Sequence, residues 1–306
     1  MSTVQQRLES PSRANDPLPP LIAVLRPHQW LKNLLALVPA VAAHRIDWTT
    51  GRSVMLAFVG LSLCASGGYV VNDILDRNAD RAHPRKRFRP IAAGRLSVPG
   101  AIALVILTWG AGIGISAATL PVEFVWTLLV YLVGTMAYSI RLKREPALDV
   151  VVLAGLYVLR IIAGGAAAAI PVSTWLLAFT LFVCLSLALM KRFTEVSDQT
   201  APVDRPLSRR GYRGDDAQWL HSAGLATAYL SVVILAIYVN NPSVSLLYAH
   251  PDRLLLVCPL LLYWSTRTWL RAHRRSVHDD PVVQVALDPV TYVLLTICVF
   301  IVAAAV

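Results

Sequence analysis

Residues 53–80 read SVMLAFVGLSLCASGGYVVNDILDRNAD, and this stretch decides the fold. Its first part, 53–71, carries no charged side chain, and about 20 mostly apolar residues are enough to cross a bilayer as a helix. An amide and three carboxylates follow directly, at Asn72, Asp73, Asp76 and Asp80. Carboxylates at such a position are costly, about 2.5–3.5 kcal/mol each at the centre of a span, and are usually functional. The stretch therefore indicates a membrane helix that ends in a reactive polar cluster.

The whole chain has the composition of a membrane protein. Of its 306 residues, 56% are apolar and 15% are charged, and the mean hydropathy is +0.57. Soluble domains are about 45–50% apolar and about 25% charged, so this composition excludes an ordinary soluble globule and a disordered chain. The net charge of +10 fits basic cytoplasmic loops that face anionic lipid head groups. We therefore expect a membrane partner and no nucleic-acid partner.

Recurring apolar stretches predict an all-α fold with nine transmembrane helices. Residues 1–20 are polar and proline-rich and are expected to form a flexible cytoplasmic tail, followed by one transmembrane catalytic domain over 21–306. If the N-terminus is inside, the inside segments hold 24 of the 28 Lys and Arg residues. This bias predicts a multi-pass plasma-membrane protein with a cytoplasmic N-terminus and an external C-terminus. The predicted spans are 29–45, 53–76, 98–118, 122–140, 147–170, 172–194, 217–240, 253–270 and 287–305.

The acidic cluster at the end of the second span lies on one face of the predicted helix. At 100° per residue, Asn72, Asp76 and Asp80 fall at about 0°, 40° and 80°. Asp73 falls at about 100°. Such hard oxygen ligands suit Mg²⁺, which binds few protein carboxylates together with substrate phosphates. The basic segment 81–95 follows and could bind the remaining phosphate oxygens. The pattern predicts a metal–diphosphate site on the cytoplasmic side. The alternatives are that the carboxylates only form a solvated helix end and that the basic segment only marks the cytoplasmic side of the membrane.

The acidic cluster also carries a family resemblance. NDILDRNAD at 72–80, followed by KRFRPIAAG at 86–94, resembles the first signature of the UbiA superfamily of intramembrane prenyltransferases. The resemblance extends over nearly the whole chain. It implies nine transmembrane helices around a central cavity, with a cytoplasmic cap over a Mg²⁺-dependent site.

A second segment departs from the family's pattern. The family usually has DxxxD at the end of the sixth span, where this chain reads KRFTEVSD at 191–198. Lys191, Glu195 and Asp198 share one helix face at about 0°, 40° and 340°. A cation thus replaces one carboxylate of the usual pair. This change favours a donor that needs direct cationic contacts over a prenyl diphosphate held by two acidic motifs.

Three further segments point to one branch of the superfamily. RPHQWLKN at 26–33, YSIRLKR at 138–144 and YVLRIIAGG at 157–165 resemble the enzymes that transfer 5-phosphoribosyl from phosphoribosyl diphosphate to decaprenyl phosphate, toward cell-wall arabinan of arabinogalactan. The resemblance implies Mg²⁺ as cofactor, with phosphoribosyl diphosphate and a polyprenyl phosphate as substrates.

Roles for individual residues follow from this interpretation. The proposed metal ligands are Asn72, Asp73, Asp76 and Asp80. The proposed catalytic residues are Asp73, Asp76 and Glu195. The proposed substrate-binding residues are Gln29, Lys32, Asn33, Lys86, Arg87, Arg89, Tyr138, Lys143, Arg160, Lys191 and Arg192.

Several alternatives stay open at this point. One is a UbiA-type prenyltransferase that joins a prenyl diphosphate to an aromatic or other small acceptor, and another is a transporter or lipid-binding membrane protein. Arg160 could bind a phosphate or pair with an internal carboxylate such as Asp149, because a charge within a span normally faces the bundle interior. Residues 199–216 could cap the cavity or form a plain linker. The polyprenyl chain length and the oligomeric state, a homo-oligomer included, are left open.

Overall fold

A computed structural model describes most of the chain, and every element in its described residues is helical. This confirms the all-α fold. The predicted tail lies outside the described residues except for its last two, as do Asp198 and much of the 199–216 loop. The described residues are 19–45, 47–82, 86–197, 211–241, 244, 247–274, 285 and 287–306.

The first predicted span is irregular. Helix α1 (Pro20–Leu25) ends at Arg26, whose φ of 51° breaks the helix. A 3-10 helix (Pro27–Leu37) and the short helix α2 (Val38–Ala42) follow. Each of these three helices has a proline at its first or second position, where the missing N–H costs nothing. The single helix predicted over 29–45 is therefore replaced by two shorter ones.

Six helices of the described residues are long and apolar enough to cross a membrane. The chain is therefore an integral membrane protein. Two further helices of 17 residues each, α9 (Val257–His273) and α10 (Pro289–Ala305), fall in the last two predicted spans. A total of nine spans stays a prediction. The six long helices are α3 (Trp48–Ala82), α4 (Val98–Thr119), α5 (Val122–Ile140), α6 (Leu148–Ala168), α7 (Thr174–Val196) and α8 (Asp216–Val239).

Helices α3 and α6 lie at the centre of the bundle. Helix α3 packs against α4, α5, α6 and the 3-10 helix, while α6 packs between α5 and α7. The 3-10 helix approaches α6 so closely that a Cβ on Gly164 would lie 2.0 Å from the carbonyl oxygen of Ala36. Only glycine permits this contact. The 3-10 helix therefore packs closely against both central helices, α3 and α6.

The antiparallel order of α3 to α8 brings the basic connections to one end of the bundle. Lys143, between α5 and α6, reaches the end of α3. Tyr212, just before α8, packs on the same connection, since its hydroxyl accepts from the backbone N–H of Ala147. Three of the connections predicted to lie inside the cell, those at 77–97, 141–146 and 191–216, therefore meet around one site.

Candidate active site

The acidic residues of α3 are held by arginines from two other parts of the chain. Asp73 and Asp80 are buried, and an Arg26 Nη2 lies 2.6 Å from Asp73 Oδ1. Arg89 Nη1 bridges the two aspartates, 3.2 Å from Asp73 Oδ1 and 2.7 Å from Asp80 Oδ2. The basic segment after α3 thus folds back onto the acidic face, as the sequence predicted.

A lysine from a third element completes this site. Lys143 Nζ lies 2.8 Å from both Asn72 Oδ1 and Asp76 Oδ2. The side chains of Arg26 and Arg89 remain 21% and 27% exposed, so the site opens to solvent at this end. We call the seven residues the entrance cluster: Arg26, Asn72, Asp73, Asp76, Asp80, Arg89 and Lys143.

A buried arginine organises the end of α7. Arg192 donates from Nε to Asp149 Oδ2 at 2.5 Å, from Nη1 to Glu195 Oε2 at 2.6 Å and from Nη2 to the Tyr138 hydroxyl at 2.8 Å. The Tyr212 hydroxyl donates to the other Asp149 oxygen at 2.6 Å. Burial and this hydrogen bond raise the pKa of Tyr212 above its ordinary value. We call these five residues the Arg192 cluster.

The end of α5 joins the two clusters. Tyr138 lies in its last turn and contacts α7, whereas Lys143 follows in the connection and contacts α3. Glu195 is exposed beside Arg192, which places one carboxylate of the Arg192 cluster at the surface. The structure therefore brings most of the sequence-predicted catalytic and binding residues to one end of the bundle.

A third polar group lies deeper in the bundle. Arg160 donates from Nε to Asn33 Oδ1 and from Nη2 to the Tyr131 hydroxyl, both at 2.8 Å. Asn33 in turn donates to Ser62 Oγ at 3.0 Å. We call these four residues the inner cluster. Asp149 binds Arg192 instead of Arg160, so the pairing suggested for Arg160 from the sequence does not form.

The remaining predicted binding residues lie on three elements. Gln29 and Lys32 are half-buried on the 3-10 helix, and Lys191 is half-buried near the end of α7. Lys86 and Arg87 lie on a short 3-10 turn, Lys86–Phe88. Arg87 is exposed, and its guanidinium lies 4.9 Å from the centre of the Phe88 ring. Their binding roles stay predictions.

Sequence reasoning missed five residues of these clusters, one of which, Ser62, lies in the apolar run of α3 and carried no signal. Arg26 lies in the quoted segment 26–33, and its position just before a helix-starting proline was the available signal. Asp149 opens α6 directly after a basic connection, which was a comparable signal. Tyr131 and Tyr212 carried no signal in the sequence that separates them from aromatic residues at a membrane interface.

The oxygen ligands of the entrance cluster suit Mg²⁺ chemically. No group of three or more His, Cys, Asp and Glu side chains within the described ranges is arranged to hold a metal ion by itself. Cations instead pair with the carboxylates of Asp73, Asp76 and Asp80. Mg²⁺ commonly takes only one or two protein carboxylates and completes its shell with substrate phosphates and water. The residues therefore fit an ion that binds together with a diphosphate, and this ligand set stays a prediction.

Comparison with known proteins settles the family. The model of the UbiA prenyltransferase family matches residues 33–283. The chain belongs to the UbiA prenyltransferase family. The motif at 72–94 had indicated this membership, and the chain is a membrane protein of that family. A solved structure of a UbiA homolog from Archaeoglobus fulgidus, bound to DMAPP and Mg²⁺, has the same fold, with a TM-score of 0.70 and 15% identity over 93% of this chain and 99% of that one.

The names of three relatives of this UbiA family member state different functions or none. An uncharacterized protein, y4nM, of Sinorhizobium fredii is 38% identical over 92% of this chain, which spans only 54% of that relative's length. The nodulation protein NoeC of Azorhizobium caulinodans is 34% identical over 86% of this chain and 85% of its own. Decaprenyl-phosphate phosphoribosyltransferase of Mycolicibacterium smegmatis is 38% identical over 58% of this chain and 57% of its own.

Proposed function

We propose that this protein transfers the 5-phosphoribosyl group of phosphoribosyl diphosphate to a polyprenyl phosphate such as decaprenyl phosphate and releases diphosphate. The observation that carries the proposal is the entrance cluster, in which cations from three elements surround one acidic helix face. The likeness to a decaprenyl-phosphate phosphoribosyltransferase over 58% of the chain supports the choice of substrates.

The Arg192 cluster favours a phosphorylated sugar as the donor. Its buried guanidinium pairs with Asp149 and Glu195, at the place where the family pattern has a second acidic motif. Arg192 offsets one of these two negative charges and donates hydrogen bonds to both carboxylates, which leaves the face of α3 as the main acidic site. With one acidic face left for a metal, direct contacts to cations such as Lys191 suit a donor that carries a 5-phosphate as well as a diphosphate.

A bound diphosphate could replace the carboxylates as partners of the cations in the entrance cluster. Arg89 and Lys143 now donate to carboxylate oxygens, and phosphate oxygens accept charge-assisted hydrogen bonds equally well. Arg26 and Arg89 are partly exposed and can turn toward an incoming phosphate, whereas the buried Asp73, Asp80 and Lys143 need the metal and the diphosphate as replacement partners. The carboxylates released in this way are the ones that would hold the metal.

The reaction breaks the bond between the anomeric carbon and the diphosphate oxygen, and the electron pair leaves with diphosphate. A phosphate oxygen of the polyprenyl phosphate then forms the new bond to that carbon. This oxygen is already ionised near neutral pH, so no strong general base is required. Arg89 and Lys143 stabilise the leaving group through donors that are already in position. Mg²⁺ bound by Asn72, Asp73, Asp76 and Asp80 would supply additional neutralisation of the leaving charge.

We place this site at the cytoplasmic side of the plasma membrane. The basic connections around the entrance cluster belong to the segments with the Lys and Arg excess. A soluble sugar donor would enter there, while the polyprenyl tail of the acceptor stays in the bilayer. This arrangement accounts for a chain that is 56% apolar although its donor is water-soluble.

The test is mass spectrometry of lipid products. The protein is reconstituted in lipid nanodiscs and incubated with phosphoribosyl diphosphate, Mg²⁺ and decaprenyl phosphate. We expect a lipid whose mass increases by one phosphoribosyl group, together with free diphosphate. Absence of this product from folded protein contradicts the proposal.

A second candidate is prenyl transfer to a small acceptor, which the family and the fold shared with a DMAPP-bound homolog favour. The same nanodiscs are incubated with prenyl diphosphate and aromatic acceptors. A prenylated acceptor without a ribosylated lipid would replace the first proposal with this one. Binding of substrates without any turnover would revive the transporter or lipid-binding alternative.

A further inference from the structure

We propose that Arg160 is a specificity-determining residue, which closes the interior of the helix bundle beneath the entrance cluster. A short polar donor fits above this closure, and a donor with a long apolar tail does not. The inference rests on the proposed function, because it explains how a fold shared with prenyltransferases selects a sugar diphosphate.

The inner cluster lies well below the entrance cluster on α3 and well below the Arg192 cluster on α6. On α3, Ser62 precedes Asp73 by eleven residues, and on α6, Arg160 follows Asp149 by eleven residues. At a rise of 1.5 Å per residue, each separation is about 16 Å along the helix. Arg160 is therefore too deep to hold a diphosphate at the entrance cluster, but its depth is where an extended tail would run.

The inner cluster also crosses the interior from side to side. Ser62 on α3 accepts from Asn33, which accepts from Arg160 on α6, and Arg160 donates to Tyr131 on α5. These hydrogen bonds connect the 3-10 helix with three membrane helices. The exposed fractions of Ser62, Asn33, Arg160 and Tyr131 are 1%, 1%, 5% and 3%, so the connection is sealed from solvent.

The charge of Arg160 makes this closure difficult to open. The three acceptors of its guanidinium in the described part of the chain are neutral, namely Asn33, the Tyr131 hydroxyl and the Leu156 carbonyl. The guanidinium also lies 4.8 Å and 5.1 Å from the ring centres of Tyr131 and Tyr157. An isoprenoid tail that displaced these groups would leave buried charged donors without acceptors, which is costly.

The experiment measures binding as a function of donor tail length. Dimethylallyl diphosphate and geranylgeranyl diphosphate carry the same head group, but the second has a tail several times longer. Each is titrated with Mg²⁺ into the full-length protein in nanodiscs, and Kd is obtained from thermal stabilisation. Asp73→Asn, which alters the entrance cluster, serves as the blank for tail partitioning into lipid.

We expect wild-type protein to bind the long diphosphate at least about tenfold more weakly than the short one. Arg160→Met should abolish most of this difference, because it replaces the charge with a flexible apolar side chain. Arg160→Lys, which keeps the charge, should retain the difference. Equal Kd values for the two diphosphates in wild-type protein would overturn the inference, as would an unchanged ratio in folded Arg160→Met.

A second variant and a separate product measurement complete the experiment. If Arg160→Met does not fold, Tyr131→Phe removes a single acceptor and should reduce the ratio partially, and no change in it counts against the inference. The proposed function has a separate readout in the ribosylated lipid. Length discrimination without that product overturns only the proposed function, whereas the product without length discrimination overturns only this inference.

Discussion

The entrance cluster and the inner cluster both centre on arginine, yet they differ in exposure and in partners. At the entrance, Arg26 and Arg89 are partly exposed and pair with carboxylates. Inside the bundle, Arg160 is 5% exposed and is held by neutral oxygens. The first arrangement allows partners to be exchanged for phosphate, and the second resists any exchange. Chemistry is therefore expected at the entrance cluster, and selection of the donor at the inner one.

Removal of the metal should have the largest effect and should act on the entrance cluster alone. We expect transfer to fall to background in excess EDTA and to return when Mg²⁺ is added back, because without the metal only Arg89 and Lys143 oppose the charge of the leaving diphosphate. The melting temperature should change little, since the inner cluster contains no metal ligand. Full transfer in EDTA would contradict the assigned role of Asp73, Asp76 and Asp80.

Asp73→Asn should reduce transfer by about 100-fold or more. The change removes the carboxylate that Arg26 and Arg89 share, and with it a proposed metal ligand. Product formation is measured by the lipid assay. The matched control is Asp288→Asn, which removes an aspartate paired with Arg267 and Arg271 between α9 and α10. If both variants lose activity equally, the entrance cluster has no special role.

Two arginines of the same basic segment should differ in effect. Arg89→Ala should raise the KM for phosphoribosyl diphosphate by about tenfold, because Arg89 faces Asp73 and Asp80. Arg87→Ala should change KM by less than about twofold, since Arg87 is exposed over the Phe88 ring. Steady-state kinetics with each variant separates them. The opposite order would move the phosphate contact to Arg87.

The smallest effect on transfer is expected from a change in the close packing of the 3-10 helix against α6, which supports the inner cluster. In Gly164→Ala, the new Cβ would lie 2.0 Å from the Ala36 carbonyl oxygen and force the 3-10 helix away from α6. We expect a loss of about 1–3 kcal/mol of stability, seen as a lower melting temperature. Gly155→Ala on the same helix has nothing within 4 Å of its Cβ and is the control. A similar melting temperature for both would argue against this close contact.

The acidic face of α3 could be predicted from the sequence, because helical periodicity and the free-energy cost of a carboxylate near a membrane span can both be judged from neighbouring residues. The placement of the basic segment 81–95 beside this face also followed from charge, because phosphate oxygens that a metal leaves uncovered need cations, and the family resemblance at 86–94 supported it. Arg192 was expected to bind substrate, and the structure shows its donors engaged by Asp149, Glu195 and Tyr138. The pairings with Asp149 and Tyr138 join residues more than 40 positions apart, so no local pattern could reveal them, whereas Glu195 is only three residues from Arg192.

The predicted membrane spans show the same limit, because local sequence patterns do not reveal contacts between distant parts of the chain. Long apolar runs gave the bounds of α4 and α5 closely, because Ser97 and Pro121 end the preceding segments. The first predicted span contains Pro39 and begins two residues after Pro27, and it became a 3-10 helix followed by α2. Its contacts with Ser62 and Arg160 decide that geometry, and they come from distant parts of the chain.

The most direct measurement is an electron cryomicroscopy structure of the protein with phosphoribosyl diphosphate and Mg²⁺. The account predicts diphosphate density between the face of α3 and the side chains of Arg89 and Lys143, with their present carboxylate contacts opened. The inner cluster around Arg160 should be unchanged. Diphosphate bound elsewhere, with the ion pairs of the entrance cluster intact, would contradict the account.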